Sequence, residues 1–217
     1  MAMTGEISKR TARACVAGLF IMLLAAADKP GEGVEARAEG LLARLDALSA
    51  REEMTEAARA RAFLDIAEGA FDIDRLAEMS LPREVALSAA QWRDYLQAFR
   101  RHLSLAYTES VRRHGPTRSR LVGVRRREDA PPIVVSETRT GGGPETREGV
   151  GPKTRTGTRT RRSVWVLCAQ EGFSICAVEV EGVRIATRNR ARFGEVLARE
   201  GVDGLLKALR SGALVAR

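Results

Sequence analysis

Histidine and cysteine are scarce in this sequence of 217 residues, which contains two histidines and three cysteines. Protein metal sites built on these residues need several ligands at short spacing, and the sequence has no such set. It also lacks a Gly-x-Ser-x-Gly elbow, a phosphate-binding loop and an HExxH motif. The sequence therefore predicts no metal site, no cofactor and no enzymatic activity.

Long apolar runs are also rare, and residues 14–27, ACVAGLFIMLLAAA, form the one clear example. This run is shorter than the roughly 20 residues that span a bilayer. Lys9, Arg10 and Arg13 precede it, and small alanines end it before Asp28. The pattern is typical of a cleaved secretory signal peptide, with an uncleaved anchor as the alternative. We expect residues 1–27 to be removed on export and residues 28–217 to form a single domain.

Acidic residues are outnumbered by basic ones, 28 to 36, which gives a formal net charge of +8. A basic exported protein is attracted to anionic surfaces such as lipid headgroups. Nucleic acid is the general partner of a basic chain, but export argues against it. The charge therefore favours an anionic lipid partner and no nucleic acid.

Residues 33–114 show apolar positions at helical spacing. The strongest helix begins after Ser88, which forms a capping box with Gln91, and it ends at Gly115. One face of this helix carries an apolar stripe made of Trp92, Leu96, Phe99, Leu103 and Tyr107. The first half of the chain is therefore predicted to be helical.

From Arg118 onwards the apolar spacing changes to the period of two that indicates strands. Residues 120–128 and 132–140 are predicted strands. Residues 141–162 are rich in Gly, Thr and Arg, and their first half is a predicted loop. From Thr154 the alternation of Thr and Arg extends the strand that follows. Residues 163–186 form a predicted hairpin, followed by helices 190–200 and 202–210. The order predicts an α+β fold in which helices pack on one side of an antiparallel four-stranded sheet.

The predicted hairpin, SVWVLCAQEGFSICAVEVEGVRIA, is apolar on both faces of both strands. A sheet with one face in water alternates apolar and polar residues along its strands. Because this hairpin is apolar on both faces, we expect other parts of the protein or a ligand to pack on its second face. A three-residue turn would place Cys168 opposite Ser174 and Cys176 opposite Val166. The two thiols then lie diagonally, near the upper limit of disulfide reach. This register favours buried free thiols, with a disulfide as the alternative.

Two blocks of the sequence resemble a known protein family. The first is FDIDRLAEMSL at residues 71–81 with LSAAQWRDYLQAFRRHLSLAY at residues 87–107, and the second is GFSICAVEVEGVRIATRNRARFGEVLAREGVDGLL at residues 172–206. In this order they resemble the periplasmic phospholipid-binding proteins of the MlaC or toluene-tolerance type, over roughly residues 35–210. Phe173, Ala177 and Arg184 depart from the family's usual tryptophan, aspartate and serine.

The resemblance implies a cone-shaped domain, similar to the NTF2-like fold. In it, helices and a bent sheet enclose a deep apolar cavity that takes the acyl tails of a lipid, while the lipid headgroup stays near solvent. It also implies a monomeric periplasmic carrier of phospholipid, which maintains outer-membrane lipid asymmetry. The implied partners are an inner-membrane ABC transporter complex and an outer-membrane lipoprotein or porin partner. A cavity of this kind would also explain a hairpin that is apolar on both faces.

Candidate site residues follow from membership of the apolar stripes together with this resemblance. The expected cavity lining is Phe63, Ile66, Phe71, Leu76, Met79, Leu96, Phe99, Leu103, Val166, Cys168, Val178 and Val180. Arginines that follow the strands and helices are expected at a headgroup rim, namely Arg125, Arg126, Arg127, Arg184, Arg188 and Arg190.

Three alternatives to a phospholipid carrier stay open. The cavity could hold a hopanoid or another apolar lipid. The chain could be an exported enzyme of NTF2-like shape that uses His102 or the pair Glu179 and Glu181, which are expected on one strand face. A purely structural interaction module would have no cavity.

Overall fold

The computed structural model describes residues 33–141, 159–169 and 172–215. The predicted signal peptide at residues 1–27 lies outside these ranges, as do residues 142–158 of the predicted loop. Within the described ranges, none of the helices is both long enough and apolar enough to cross a membrane.

Four helices form the first half of the described chain, as the sequence predicts. They are α1 (Val34–Ser49), α2 (Glu56–Glu68), α3 (Ile73–Ser80) and α4 (Ala89–His114). Side chains cap three of them: Thr55 accepts a hydrogen bond from the Ala58 amide, Asp72 accepts one from the Arg75 amide, and Ser88 forms the predicted capping box with Gln91. Gly115 ends α4 at a φ of 72°, which glycine adopts without strain.

The second half forms an antiparallel sheet in the order β1-β2-β3-β4-β5 and then one long helix. The strands are β1 (Thr117–Arg127), β2 (Ala130–Thr140), β3 (Arg159–Leu167), β4 (Ile175–Val180) and β5 (Val183–Arg184), and the helix is α5 (Ile185–Ser211). The predicted α+β class is confirmed, with the two-residue β5 as an unpredicted fifth strand. Gly201, at a φ of 67°, divides α5 where the sequence predicts a break between two helices.

All helices that pack on the sheet do so on one face, which we call the inner face. It includes Val134, Trp165 and Val178, which are aligned across β2, β3 and β4. Leu41 and Leu42 of α1 pack on this face and form one core cluster with it. Residues of α3, α4 and α5 form a second core cluster beside the first. The core therefore lies between the inner face and the helices.

The other face of the sheet carries a short apolar row rather than a second layer. Ile133, Val166 and Ala177 are aligned across β2, β3 and β4, and all three are half-buried. These residues belong to neither core cluster among the described residues. The apolar second face of the hairpin therefore stays partly exposed here, and no helix in the described chain covers it.

Cys168 and Cys176 form a disulfide, so the expectation of free thiols is wrong. The predicted pairing of Cys168 with Ser174 is present, as the Cys168 amide donates to the Ser174 carbonyl at 2.8 Å. However, Val166 pairs with Ala177 and Leu167 with Ile175, which leaves Cys176 as the extra residue of a β-bulge. The bulge brings the two Cα atoms to 5.0 Å, well inside disulfide reach.

Candidate functional site

An apolar cavity of about 180 Å³ lies between α2, α3, α4, β4 and the first turn of α5. Six buried residues form its floor: Ala67, Ile73, Leu76, Ser80, Phe99 and Asn189. Six half-buried residues form its mouth: Phe63, Phe71, Leu103, Val178, Ile185 and Ala186. The half-buried side chains mark the part of the lining that lies nearer to the surface.

The cavity is almost free of polar groups. Only Ser80 and Asn189 carry polar side chains among its lining residues, and the Ser80 hydroxyl donates to the Leu76 carbonyl at 2.7 Å. Such a lining suits hydrocarbon, because it offers no charge and its serine hydroxyl is already hydrogen-bonded to the backbone. Ligand pockets usually measure about 300 to 1,000 Å³, so this cavity is smaller than a typical one. The structure thus does not show the deep cavity that the resemblance implies.

A polar cleft of about 590 Å³ adjoins the cavity, and we call it the basic cleft. Asn189 lines both spaces, and Val180 of the cleft follows Val178 of the cavity on the inner face of β4. Its basic side chains come from α4, β3 and α5 and are Arg113, His114, Arg161, Arg188 and Arg192. His102 lines it as well.

Both glutamates in the basic cleft are already held by arginines. Glu109 accepts hydrogen bonds from Arg112 at 2.6 and 2.7 Å and from Arg113 at 2.5 Å. These bonds lower the pKa of Glu109 to about 2. Glu181 forms an ion pair with Arg159 at 3.1 Å. Neither carboxylate is therefore left to neutralise the other arginines of the cleft.

His102 is buried beside this cleft, with its ring at an edge-to-face angle to Phe193. Burial, together with the positive charges of Arg192 and Arg188, lowers its pKa to about 4. The ring is therefore neutral near pH 7. Its Nδ1 atom is buried and has no hydrogen-bond partner within the described part of the chain.

Half of the twelve predicted lining residues meet at the cavity: Phe63, Phe71, Leu76, Phe99, Leu103 and Val178. Val180 lies in the basic cleft. Ile66 packs against the core cluster that α1 forms with the inner face of the sheet. Met79 and Leu96 pack against the helical cluster. Val166 lies on the opposite face of the sheet, and Cys168 lies in the disulfide.

The predicted rim arginines are dispersed over the surface. Arg188 lines the basic cleft. Arg190 lies on another side of α5 and donates to the carbonyls of Leu81 at 3.1 Å and Met79 at 2.6 Å. Arg126 forms an ion pair with Glu35 at 2.8 Å, Arg125 and Arg184 are exposed, and Arg127 ends β1.

Sequence reasoning missed Arg113, Arg161 and Arg192 of the cleft. It also missed the other half of the cavity lining, namely Ala67, Ile73, Ser80, Ile185, Ala186 and Asn189. One signal was available for Arg192, which follows Arg188 by four residues and so shares its helix face. Arg161 shows no such local signal, because its position depends on how β3 pairs with β2 and faces α4.

The residues considered for catalysis or metal binding do not form a site. Glu179 lies on the face of β4 opposite the inner face, whereas Glu181 lies beyond the end of the strand at a φ of 52° and reaches Arg159. The expectation that they share a face is therefore wrong. One described group, Asp72 with Cys168 and Cys176, has ligand atoms close enough for a metal ion, but the disulfide removes both thiolates.

The fold is similar to that of a phospholipid-binding protein from Ralstonia solanacearum, whose structure was solved in complex with a phospholipid. The match has a TM-score of 0.60 at 13% sequence identity and covers 86% of this chain and 100% of the other. No protein-family model matches the chain. No curated protein matches it in sequence either. At this identity the similarity establishes a shared fold, in agreement with the fold that the resemblance implies.

Proposed function

We propose that the protein is a phospholipid carrier that takes an acyl chain into the apolar cavity. The observation that carries this proposal is the cavity itself, with a buried, mostly apolar floor and a half-buried mouth. The shared fold with a protein solved in complex with a phospholipid supports it. The sequence has no recognised catalytic motif, which fits a binding role better than an enzymatic one.

Hydrocarbon burial supplies the binding energy in this proposal. Each buried CH₂ group contributes about 0.8 kcal/mol relative to water. A carrier that extracts lipid from a membrane must instead match the contacts of the bilayer, so its cavity has to be dry and apolar. The lining, with two polar side chains, meets this requirement.

The mouth has to widen before a whole acyl chain can enter, because the cavity is smaller than ordinary ligand pockets. The half-buried side chains Phe63, Leu103 and Ile185 belong to three different helices, α2, α4 and α5. Small shifts between these helices would enlarge the cavity without exposing its floor. The proposal therefore places the conformational change at the mouth.

We further propose that the carrier works in the periplasm, between an outer-membrane partner and an inner-membrane ABC transporter complex. The predicted signal peptide and the family resemblance support this placement. The transporter would supply the energy, because this sequence has no phosphate-binding loop for a nucleotide. Cell fractionation tests the export step, and protein found only in the cytoplasmic fraction would contradict it. Sequencing the amino terminus of the exported protein tests the cleavage, and an intact Met1 would favour the uncleaved anchor.

The decisive experiment is native mass spectrometry of protein purified from a bacterial periplasm. We expect a bound mass that matches a phospholipid with two acyl chains. A fused-ring mass would replace the phospholipid with a hopanoid-type ligand. Protein that is free of lipid and also extracts none from vesicles overturns the carrier proposal.

A further inference from the structure

The basic cleft carries positive charge that the described part of the protein does not balance. Its two glutamates are held by Arg112, Arg113 and Arg159. Among the described residues, Arg161, Arg188 and Arg192 form no ion pair with a carboxylate. Three guanidinium groups from β3 and α5 therefore line one space without a carboxylate partner among the residues that the structure describes.

Buried hydrogen-bonding groups in the cleft also lack partners. The Nδ1 atom of His102 and the Nε atom of Arg161 are both buried and unpaired within the described residues, and His102 is only 5% exposed. Folded proteins rarely leave such groups unpaired, because burial without a hydrogen bond costs free energy. A ligand with several acceptor oxygens would pair with the guanidinium groups and supply the missing partner of Arg161.

The cleft and the apolar cavity are neighbouring parts of one surface. Asn189 lines both, and Arg188 directly precedes it on α5. Arg192 follows Arg188 by four residues, so both lie on the same side of the helix. A molecule with its hydrocarbon in the cavity would thus place a headgroup next to these arginines.

We infer that the basic cleft binds the phosphate of an anionic headgroup and makes the protein selective for phospholipids with net negative charge. This inference rests on the proposed function. Guanidinium groups pair with phosphate oxygens through two parallel hydrogen bonds, which favours arginine at such sites. A zwitterionic headgroup would bring its ammonium group among three arginines that have no carboxylate partner in the described part of the chain, where like charges repel.

The test uses vesicles that contain equal amounts of phosphatidylglycerol and phosphatidylethanolamine with identical acyl chains. The full exported chain is incubated with the vesicles and separated from them, and its bound lipid is identified by mass spectrometry. We expect phosphatidylglycerol to exceed phosphatidylethanolamine by about tenfold, the difference typical of one charge-assisted hydrogen-bonding contact. Added salt should reduce this ratio, because the cleft is open to solvent.

A charge-matched pair of variants assigns the selectivity to the cleft. The double variant Arg188→Gln, Arg192→Gln should take up less phosphatidylglycerol, so that its ratio of phosphatidylglycerol to phosphatidylethanolamine falls to near one. The control variant Arg199→Gln, Arg210→Gln removes two exposed arginines of the same helix outside the cleft and should keep the wild-type ratio.

The possible outcomes separate the two proposals. If the wild-type protein takes up both lipids equally, the selectivity is overturned while the carrier function stands. Extraction of neither lipid overturns both. A third measurement adds inorganic phosphate to the lipid-free protein and to the vesicle assay. If phosphate binds the protein but does not change the ratio of the two bound lipids, the cleft is a site for free phosphate. The headgroup assignment is then overturned.

Discussion

The ring of Phe63 on α2 lies stacked on the ring of Tyr107 on α4, with centroids 4.4 Å apart and an interplanar angle of 13°. The Tyr107 hydroxyl donates to the Leu45 carbonyl of α1 at 3.0 Å. Burial raises the pKa of Tyr107 to about 12, so the hydroxyl keeps its proton at neutral pH. This contact holds Phe63 at the mouth of the apolar cavity and joins three helices there.

Two substitutions of Tyr107 separate the stacking contact from the hydrogen bond. Tyr107→Phe keeps the ring and should lower the free energy of unfolding by about 1 kcal/mol, the value of one hydrogen bond. Tyr107→Leu also removes the stacking and should let Phe63 move, which accelerates lipid uptake from vesicles. Stopped-flow transfer of a fluorescent phospholipid measures this rate, and equal rates for the two variants would contradict a gating role for the ring.

Filling the cavity should abolish lipid binding without unfolding the protein. Ala67 lies in the floor, and Ala67→Phe would direct a ring into the apolar space of about 180 Å³. The matched control is Ala57→Phe, at an exposed position of the same helix. We expect the first variant to lose bound lipid in native mass spectrometry and the control to retain it. Normal lipid loading of folded Ala67→Phe would place the acyl chain elsewhere.

Removal of the disulfide should destabilise the protein by a moderate amount. Cys168 and Cys176 are separated by eight positions, so the bond closes a short loop. Chain-entropy estimates for a loop of this length give about 2.5 kcal/mol. Urea unfolding of Cys168→Ala, Cys176→Ala should show this loss relative to the oxidised wild type. Addition of reductant to the wild type should produce the same shift, whereas addition to the variant should have no effect.

Arg59 is a buried arginine whose partners are carbonyl groups rather than carboxylates. Its guanidinium donates to Leu48 at 2.9 Å, Ser49 at 3.2 Å and Arg51 at 2.6 Å, which satisfies the end of α1 and the turn after it. Arg59→Met should cost about 3 kcal/mol, because buried carbonyls lose a charged donor. The control Arg61→Met, at an exposed position of α2, should unfold at the wild-type urea concentration.

The burial of His102 predicts a loss of stability in mild acid. Its pKa is about 4 in the folded protein and about 6.5 when unfolded, so the unfolded chain binds the extra proton first. Stability is then fully present above pH 6.5 and falls as the pH drops towards 4. Between pH 7 and pH 5 the expected loss is about 2 kcal/mol.

A comparison with His102→Leu isolates this contribution. The groups that face His102 from α5, Arg188 and Arg192, keep their charge over this range. Urea unfolding at pH 7, 6 and 5 should therefore show a steep decline for the wild type and a shallower one for the variant. Parallel declines would assign the acid sensitivity to other groups.

The helical part of the site was predictable, because its residues lie on one helix face. Phe99 and Leu103 follow the α4 stripe, and both line the cavity. The sheet part was not, because a one-residue bulge exchanges the two faces of a strand. Without the bulge at Cys176, Val178 would share the face of Val166; with it, Val178 aligns with Trp165 on the inner face.

The basic cleft shows a second limit of sequence reasoning. Arg188 and Arg192 can be grouped from their spacing on a helix, but Arg161 joins them only through the sheet. The sequence contains 36 basic residues, most of them arginines, so composition alone gives no means to select these three. Their grouping depends on long-range packing, and so does the pairing of Glu109 and Glu181 with other arginines.

The exposed edge of the sheet has a consequence for how copies of the protein behave towards one another. β1 is an edge strand, interrupted at Val122 by a bulge, and it carries the exposed residues Arg118, Arg120 and Arg125. Edge strands with free backbone groups invite pairing with another chain, and cationic side chains and bulges oppose it. Two β1 edges would repel each other, which opposes the pairing of one β1 strand with another at high concentration.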